Sequence, residues 1–210
     1  MIITKEDRKN LKIALAGLSR KKGRKEIFYD LCFCICAPQT TFVSNRKVIE
    51  ELKKRDFYKH DVINLPQICK PVRFYNNKAK HLLAAKNNFD TIMYHVNLYL
   101  KHRDKPGHAG AMREYLVDEV KGLGMKAASH FLRNLGETNL AIIDTHILKF
   151  LACNEYELKE IRKMATSKRG YRCLEFDFKV IAQEYRLSVA ELDALVWKNY
   201  SNTDWAEFKY

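Results

Sequence analysis

A lysine and an aspartate in the C-terminal half of the chain stand 18 positions apart, each beside a feature that suits it to chemistry. Lys126 directly follows a break between two helix-like segments, in VKGLGMK. Asp144 follows the apolar run LAII and so emerges at the edge of the core. A lysine amine can form a Schiff base with a sugar carbon, and a carboxylate can stabilise an oxocarbenium ion on that sugar. The pair is compatible with nucleophilic chemistry on a sugar, and helix capping by Asp144 is the simpler role, which does not exclude that chemistry.

The break before Lys126 contains two glycines that let the chain turn sharply. Gly122 and Gly124 permit positive φ and leave the neighbouring amides uncovered. Exposed N–H groups at the start of a helix form an anion site that suits a phosphate, although a tight turn between helices also uses glycine for geometry alone. The following helix carries a polar face at helical spacing, which we expect to point away from the core: Lys126, Ser129, His130 and Arg133.

The charge of the chain favours a polyanionic partner. The 210 residues include 38 Lys and Arg against 25 Asp and Glu, which gives a net charge of +13. Nucleic acid and an anionic membrane surface both fit this charge, as does a basic protein with neither partner. The chain has no run of about 18 apolar residues that could span a bilayer, and its N-terminus, MIITKEDRKNLKIALAGLSR, lacks the apolar region of a signal peptide. We therefore expect an intracellular protein of the cytoplasm or nucleoid.

The six cysteines do not form the pattern of a metal site. Cys32, Cys34 and Cys36 alternate in the apolar run YDLCFCICA, unlike the CxxC pairs of zinc modules. The C-terminal third holds two isolated cysteines, too few for a four-cysteine iron–sulfur loop. We expect buried free thiols and no metal.

Apolar residues recur at helical spacing along nearly the whole chain, so we predict an all-α fold. The segment 26–37, EIFYDLCFCICA, is apolar nearly all round and should form a central buried helix that ends at an exposed turn. Asp144 or Thr145 is placed to cap the helix THILKFL. Ser188 and Glu191 have the spacing of a capping box for the last long helix.

Several of these segments resemble a known enzyme family. GLGMK followed by IIDTH resembles the helix-hairpin-helix, loop and aspartate signature of DNA base-excision glycosylases. SHFLRNLG and AIIDTHILKFL, with LCFCIC and RFYNNKA upstream, are similar to the archaeal-type 8-oxoguanine DNA glycosylase/AP lyases from about residue 26 to the C-terminus. The missing iron–sulfur loop argues against the endonuclease III and adenine-glycosylase branches. The length leaves no room for the extra β domain of the eukaryotic-type enzyme.

The resemblance implies a two-lobed helix-hairpin-helix DNA glycosylase fold with the active site in the interlobe cleft. Residues 26–135 would form a central helical lobe that ends in the hairpin. Residues 1–25 together with 136–210 would form a second helical lobe. In such a fold the cleft brings Lys126 toward Asp144.

The resemblance also implies a bifunctional base-excision-repair enzyme that flips 8-oxoguanine out of double-stranded DNA, excises it and nicks the strand. Lys126 matches the nucleophile that attacks C1′ and gives a Schiff base that undergoes β-elimination. Asp144 matches the carboxylate that assists departure of the base. Gly122 and Gly124 match the hairpin whose amides hold a backbone phosphate, sometimes with a monovalent cation, and no other cofactor is expected. His146 matches a position near the phosphate of the flipped nucleotide.

The resemblance also implies which residues recognise the base, because their positions match those of the family. Phe74 and Trp197 match aromatic residues that sandwich the flipped base, with a place in the core as the alternative for each. Lys209 stands where a terminal lysine helps to read the oxidised purine, in a tail about three residues longer than in such relatives. Gln39 falls where an amide side chain fills the gap in the base stack, in place of the more usual asparagine. His130, one turn beyond the nucleophile, should face the same pocket.

Other functions remain open from the sequence. A related glycosylase could act on another lesion, such as an oxidised pyrimidine. A non-catalytic helix-hairpin-helix module could bind DNA with Lys126 contacting only phosphate, and a basic RNA-binding protein is a more remote alternative. For the leading hypothesis we expect a monomer that binds one DNA duplex and does not associate with membranes.

Overall fold

A computed structural model describes residues 3–152, 155–201 and 205, and this part of the chain consists of α-helices joined by short loops. These residues contain no β-strand, which confirms the all-α prediction. None of the helices they form combines the length and the apolar composition that a membrane span requires. The helices are α1 (Lys5–Leu15), α2 (Arg24–Cys36), α3 (Phe42–Lys54), α4 (Leu65–Cys69), α5 (Tyr75–Asn87), α6 (Phe89–His102), α7 (His108–Glu119), α8 (Met125–Asn134), α9 (Thr145–Leu151), α10 (Glu155–Met164), α11 (Lys168–Glu184) and α12 (Val189–Ser201).

The chain divides into two compact units. One unit is continuous, Lys22–Phe131, and contains α2 to α7 with the greater part of α8. The other combines Met1–Lys21 with Leu132–Tyr210 and contains α1, the end of α8 and α9 to α12. Each unit has its own buried apolar side chains, and we refer to them below as the continuous unit and the split unit.

Helix α2 lies in the core of the continuous unit. Its start is fixed by Glu26, whose carboxylate accepts a hydrogen bond of 2.8 Å from the N–H of Gly23. Most of its side chains are buried, as expected from the apolar run at 26–37. The Phe28 ring packs edge-on against that of Phe89 at 4.9 Å between centroids. The prediction of a central buried helix is therefore confirmed.

Four cysteines of the continuous unit are buried free thiols: Cys32, Cys34, Cys36 and Cys69. Burial raises the pKa of Cys36 to about 12 and that of Cys69 to about 11, because the thiolate is disfavoured away from water. Among the described residues no cluster of His, Cys, Asp and Glu could hold a metal ion. Cys173 differs from the expectation, since it lies exposed on α11.

The split unit is stabilised by helix caps and a shared apolar core. Thr4 and Asp7 form a reciprocal capping box at the start of α1. Ser188 and Glu191 form the one predicted for α12: the serine N–H donates to the glutamate carboxylate at 2.7 Å, and the glutamate N–H donates back to the serine hydroxyl at 3.2 Å. Four helices contribute buried side chains to the core of this unit: Leu11, Ile147, Tyr171, Phe178, Leu192 and Leu195.

Candidate active site

The hairpin before α8 requires glycine at one of its two glycine positions. Gly122 has φ +93°, and the N–H of Leu123 closes the turn on the carbonyl of Val120 at 3.1 Å. A Cβ atom on Gly122 would lie 2.6 Å from Nδ1 of His81, so a side chain is excluded by space as well as by conformation. The imidazole of His81, on α5, thus packs directly beneath the turn.

Gly124 acts differently, because it does not take positive φ. Its carbonyl accepts a hydrogen bond of 2.9 Å from the N–H of Ala128 and so begins α8. A Cβ atom on Gly124 would meet no heavy atom within 4 Å. Both glycines permit positive φ, but only Gly122 adopts it, and Gly124 leaves open space beside the first amides of α8. Lys126, the second residue of this helix, is exposed.

The remainder of α8 corrects the predicted polar face. Ser129 and Arg133 are both fully buried, whereas Lys126 is exposed and His130 is half-buried. The ring of His130 packs edge-on against that of Phe33 at 5.9 Å. The expectation of two outward cations was wrong for Arg133, because its guanidinium is bound inside the split unit.

The sequence predicted Asp144 or Thr145 as the N-cap of α9, and the cap is Asp144. Its Oδ1 accepts hydrogen bonds from the N–H groups of His146 at 2.8 Å and Ile147 at 2.9 Å. Within the described part of the chain its second oxygen, Oδ2, accepts no hydrogen bond. Capping therefore fixes the orientation of the carboxylate and leaves one oxygen for chemistry.

The irregular segment 140–143, which leads into Asp144, is held by buried polar side chains. The hydroxyl of Tyr171 accepts from the N–H of Ile143 at 2.9 Å and donates to the carbonyl of Ala141 at 2.8 Å. Glu175 accepts from the N–H of Ala141 at 2.9 Å. Because this backbone belongs to neither helix nor sheet, these side chains supply the partners it would otherwise lack.

Arg133 and Asp193 complete this set, which we call the Asp144 cradle: Arg133, Tyr171, Glu175 and Asp193. The guanidinium of Arg133 donates to the carbonyls of Glu137 at 3.0 Å and Leu140 at 2.7 Å. It also pairs with the carboxylate of Asp193 at 3.4 Å, which in turn accepts from the N–H of Ile142 at 3.3 Å. The sequence did not predict this set, because the backbone groups that the four side chains bind lie outside their own helices.

His146 and Trp197 lie together in the split unit. Their rings meet edge-on at 6.4 Å between centroids, and both side chains are half-buried. Nδ1 of His146 is buried without a hydrogen-bond partner in the described residues. The split unit thus gathers Asp144, His146 and Trp197, three of the predicted site residues, around the start of α9 and the face of α12.

Gln39 and Phe74 share an unusual backbone conformation in the continuous unit. Both have positive φ, +52° for Gln39 and +57° for Phe74, which costs free energy for residues other than glycine. Both side chains are exposed, Phe74 to 52%. The guanidinium of Arg73 lies 4.9 Å from the centroid of the Phe74 ring. Phe74 is therefore not a core aromatic residue, and strained backbone with an exposed side chain is typical of functional positions.

Lys209 lies outside the described residues, so its predicted role stays a prediction. That Lys126 and Asp144 act on the same nucleotide also stays a prediction.

Comparison with known proteins identifies the family. The family model described as "8-oxoguanine DNA glycosylase" matches residues 12–187. This chain belongs to that family. The 8-oxoguanine DNA glycosylase/AP lyase of Saccharolobus solfataricus is 35% identical over 185 residues, covering 84% of this chain and 83% of the relative. That of Picrophilus torridus is 33% identical over 180 residues, covering 85% and 80%.

Solved structures of the family agree in fold. The 8-oxoguanine DNA glycosylase of Methanocaldococcus jannaschii superimposes with a TM-score of 0.77 at 28% identity, covering 94% of this chain and 89% of that one. The same enzyme in complex with a 15mer DNA containing 8-oxoguanine gives a TM-score of 0.75 at 29% identity, covering 93% and 91%. The predicted helix-hairpin-helix glycosylase fold is thereby confirmed.

Proposed function

We propose that this protein is a bifunctional 8-oxoguanine DNA glycosylase and AP lyase. The observation that carries the proposal is Lys126, an exposed amine in the first turn of the helix that follows the glycine hairpin, in a chain that belongs to this family. Because the amine of Lys126 is exposed beside the hairpin, it can reach a bound nucleotide without movement of other side chains. Its relatives carry the same two activities in their names.

In the first step Nζ of Lys126, as the neutral amine, attacks C1′ of the flipped nucleotide, and the glycosidic bond breaks with its electron pair leaving on the base. The carboxylate of Asp144 stabilises the positive charge that develops on the sugar as this bond breaks. One amine proton passes to the departing base and the other to the ring oxygen as the C1′–O4′ bond breaks, which leaves a Schiff base between Lys126 and C1′. Loss of a proton from C2′ then expels the 3′ phosphate by β-elimination, which nicks the strand.

The remaining assignments follow from chemical type and exposure. The amides after Gly122 and Gly124 would hold a backbone phosphate, with a monovalent cation as the one additional ligand we propose there. We assign a phosphate contact to His146 and stacking on the flipped base to Phe74 and Trp197. We assign contacts with the flipped base to His130 and Lys209, and Gln39 would fill the gap that this base leaves in the stack.

The partner we propose is double-stranded DNA that contains 8-oxoguanine, bound by a monomer. The net charge of +13 supports phosphate binding along a duplex, which salt would weaken. A repair enzyme acts where the chromosome is, so we propose action in the cytoplasm and nucleoid and no association with membranes.

The test separates base release from strand cleavage in a panel of duplexes that contain 8-oxoguanine or an oxidised pyrimidine. We expect the wild type to release 8-oxoguanine and nick the strand, Lys126→Gln to bind the duplex without nicking it, and Asp144→Asn to lose most of the rate of base release. Release of only the pyrimidine lesion would favour the related glycosylase. Binding without release of any base, by the wild type, would favour a non-catalytic DNA-binding module.

A further inference from the structure

The turn that presents Gln39 is held from inside the continuous unit. Gln39 lies between α2 and α3, where its left-handed backbone would relax without outside support. Within the turn, the N–H of Thr40 donates to the carbonyl of Ala37 at 3.2 Å, and its hydroxyl donates to that of Pro38 at 3.2 Å. These local bonds close the turn but do not connect it to the rest of the unit.

Lys78 supplies that connection from α5. Its ammonium donates to the carbonyl of Cys36 at 2.7 Å, to the carbonyl of Pro38 at 2.8 Å and to the hydroxyl of Thr40 at 2.7 Å. An ammonium has three donors, and all three are used on the two sides of Gln39. The cation also lies at the C-terminal end of α2, where the helix dipole favours positive charge.

Burial shows how unusual this lysine is. Lys78 is only 5% exposed, whereas lysine side chains almost always keep the ammonium in water. Burial lowers its pKa, since the charged form loses hydration. A buried ammonium persists only where good hydrogen bonds replace that hydration, so the turn and the lysine depend on each other.

The backbone of Lys78 is hydrogen-bonded to Phe74, the second residue with strained backbone. The N–H of Lys78 donates to the carbonyl of Phe74 at 3.0 Å, one helical turn earlier. Phe74 is the left-handed, exposed N-cap residue that precedes α5. The main chain of Lys78 therefore contacts one candidate DNA-binding residue, and its side chain holds the turn of the other.

We propose that Lys78 is a positioning residue that holds Gln39 at a fixed distance from Phe74, so that the amide enters the base stack as the damaged base leaves it. This inference rests on the proposed function, and in particular on the role assigned to Gln39. Lys78 would then act in base flipping and not in the reaction at C1′. A substrate with no base to extrude should therefore be far less sensitive to Lys78 than one with an intact lesion.

The test compares Lys78→Met, which keeps the length of the side chain without its donors, with Lys80→Met, which removes an exposed charge from the same helix. We expect Lys78→Met to slow release of 8-oxoguanine from a saturated duplex by about tenfold or more, and to slow cleavage at a preformed abasic site by less than about threefold. It should also reduce the fluorescence change of 2-aminopurine placed opposite the lesion. Lys80→Met should match the wild type within about twofold in all three readouts.

A double-mutant cycle that combines Lys78→Met with Gln39→Ala tests whether Lys78 acts through the turn that carries Gln39. If it does, the two losses are not additive, and the double variant is no slower than the slower single variant. Additive losses, or a loss in Gln39→Ala with none in Lys78→Met, overturn the role of Lys78 alone. Wild-type rates in Gln39→Ala overturn the role assigned to Gln39 and with it this inference, whereas a wild type inactive on 8-oxoguanine overturns the proposed function.

Thr40→Val keeps the experiment decisive if Lys78→Met does not fold. It removes the hydroxyl that Lys78 contacts, together with the hydrogen bond from that hydroxyl to the carbonyl of Pro38, and it does so near the surface, so the fold should persist. We expect a loss of about two- to fivefold in release of 8-oxoguanine with unchanged cleavage at the abasic site. Release at the wild-type rate by a folded Thr40→Val would contradict the inference.

Discussion

Replacement of Tyr171 by Phe tests whether the Asp144 cradle positions the carboxylate. The side chain is 1% exposed, and its hydroxyl satisfies both the N–H of Ile143 and the carbonyl of Ala141. Tyr171→Phe leaves both backbone groups buried without this partner, and each such loss costs about 1–2 kcal/mol once desolvation is included. We therefore expect the free energy of unfolding to fall by about 2–4 kcal/mol, which corresponds to a decrease in Tm of roughly 4–16 °C for a chain of this size.

The same change should slow catalysis, because Ile143 directly precedes Asp144. A shift of about 1 Å in a catalytic group can cost up to a hundredfold in rate, so we expect at least about a tenfold loss of 8-oxoguanine release at a temperature where the variant is fully folded. Urea unfolding and single-turnover base release are the two assays. Tyr94→Phe is the matched control, since Tyr94 is 66% exposed and should change stability by less than about 0.5 kcal/mol. If Tyr171→Phe equals Tyr94→Phe in both assays, the cradle does not position Asp144.

Three further predictions concern the hairpin and the buried arginine. Gly122→Ala should lower the free energy of unfolding by about 1–3 kcal/mol, because residue 122 has positive φ and a side chain there would meet His81. Gly124→Ala should change it by less than about 0.5 kcal/mol. Equal losses for the two variants in urea unfolding would contradict the hairpin geometry. Burial, and next the charge of Lys121, lowers the pKa of His81 below its ordinary 6.5, so the unfolded chain binds this proton more readily and stability falls as the pH decreases through 6.5 to the folded value. Urea unfolding at about pH 7.5 and about pH 5.5 should show a smaller decrease in the free energy of unfolding for His81→Asn than for the wild type. An equal decrease in both would show that His81 does not contribute to this pH dependence. Arg133→Met should lower the free energy of unfolding by about 3–5 kcal/mol, because it removes the cation that pairs with the buried Asp193 carboxylate and the donor to two buried carbonyls. A melting temperature within about 2 °C of the wild type would contradict this.

The sequence predicts what depends on local chemistry. The apolar run of α2 predicts its burial, and an acidic residue after LAII predicts the cap of α9, because each follows from residues adjacent in the chain. Gly122 is similarly predicted, since a left-handed turn between helices favours glycine.

Other features depend on residues distant in sequence, and local patterns do not reveal them. Helical spacing predicts that Lys126 and Arg133 share a polar surface, but it does not show that carbonyls at 137 and 140 return to bind the guanidinium. The burial of Lys78 likewise depends on a turn about 40 residues earlier, which no periodicity within α5 indicates. The left-handed backbone of Phe74 arises at a helix start where glycine or asparagine would be the usual choice.

Borohydride trapping on a duplex with 8-oxoguanine opposite cytosine tests the central claim, that Lys126 forms a Schiff base with the damaged nucleotide. The comparison is between the wild type, Lys126→Gln and Lys121→Gln, which removes the same charge from an exposed position five residues earlier in the hairpin. We expect a covalent protein–DNA adduct with the wild type and with Lys121→Gln, and none with Lys126→Gln although this variant still binds the duplex. An adduct of equal yield with Lys126→Gln, or no adduct with the wild type, would contradict the central claim.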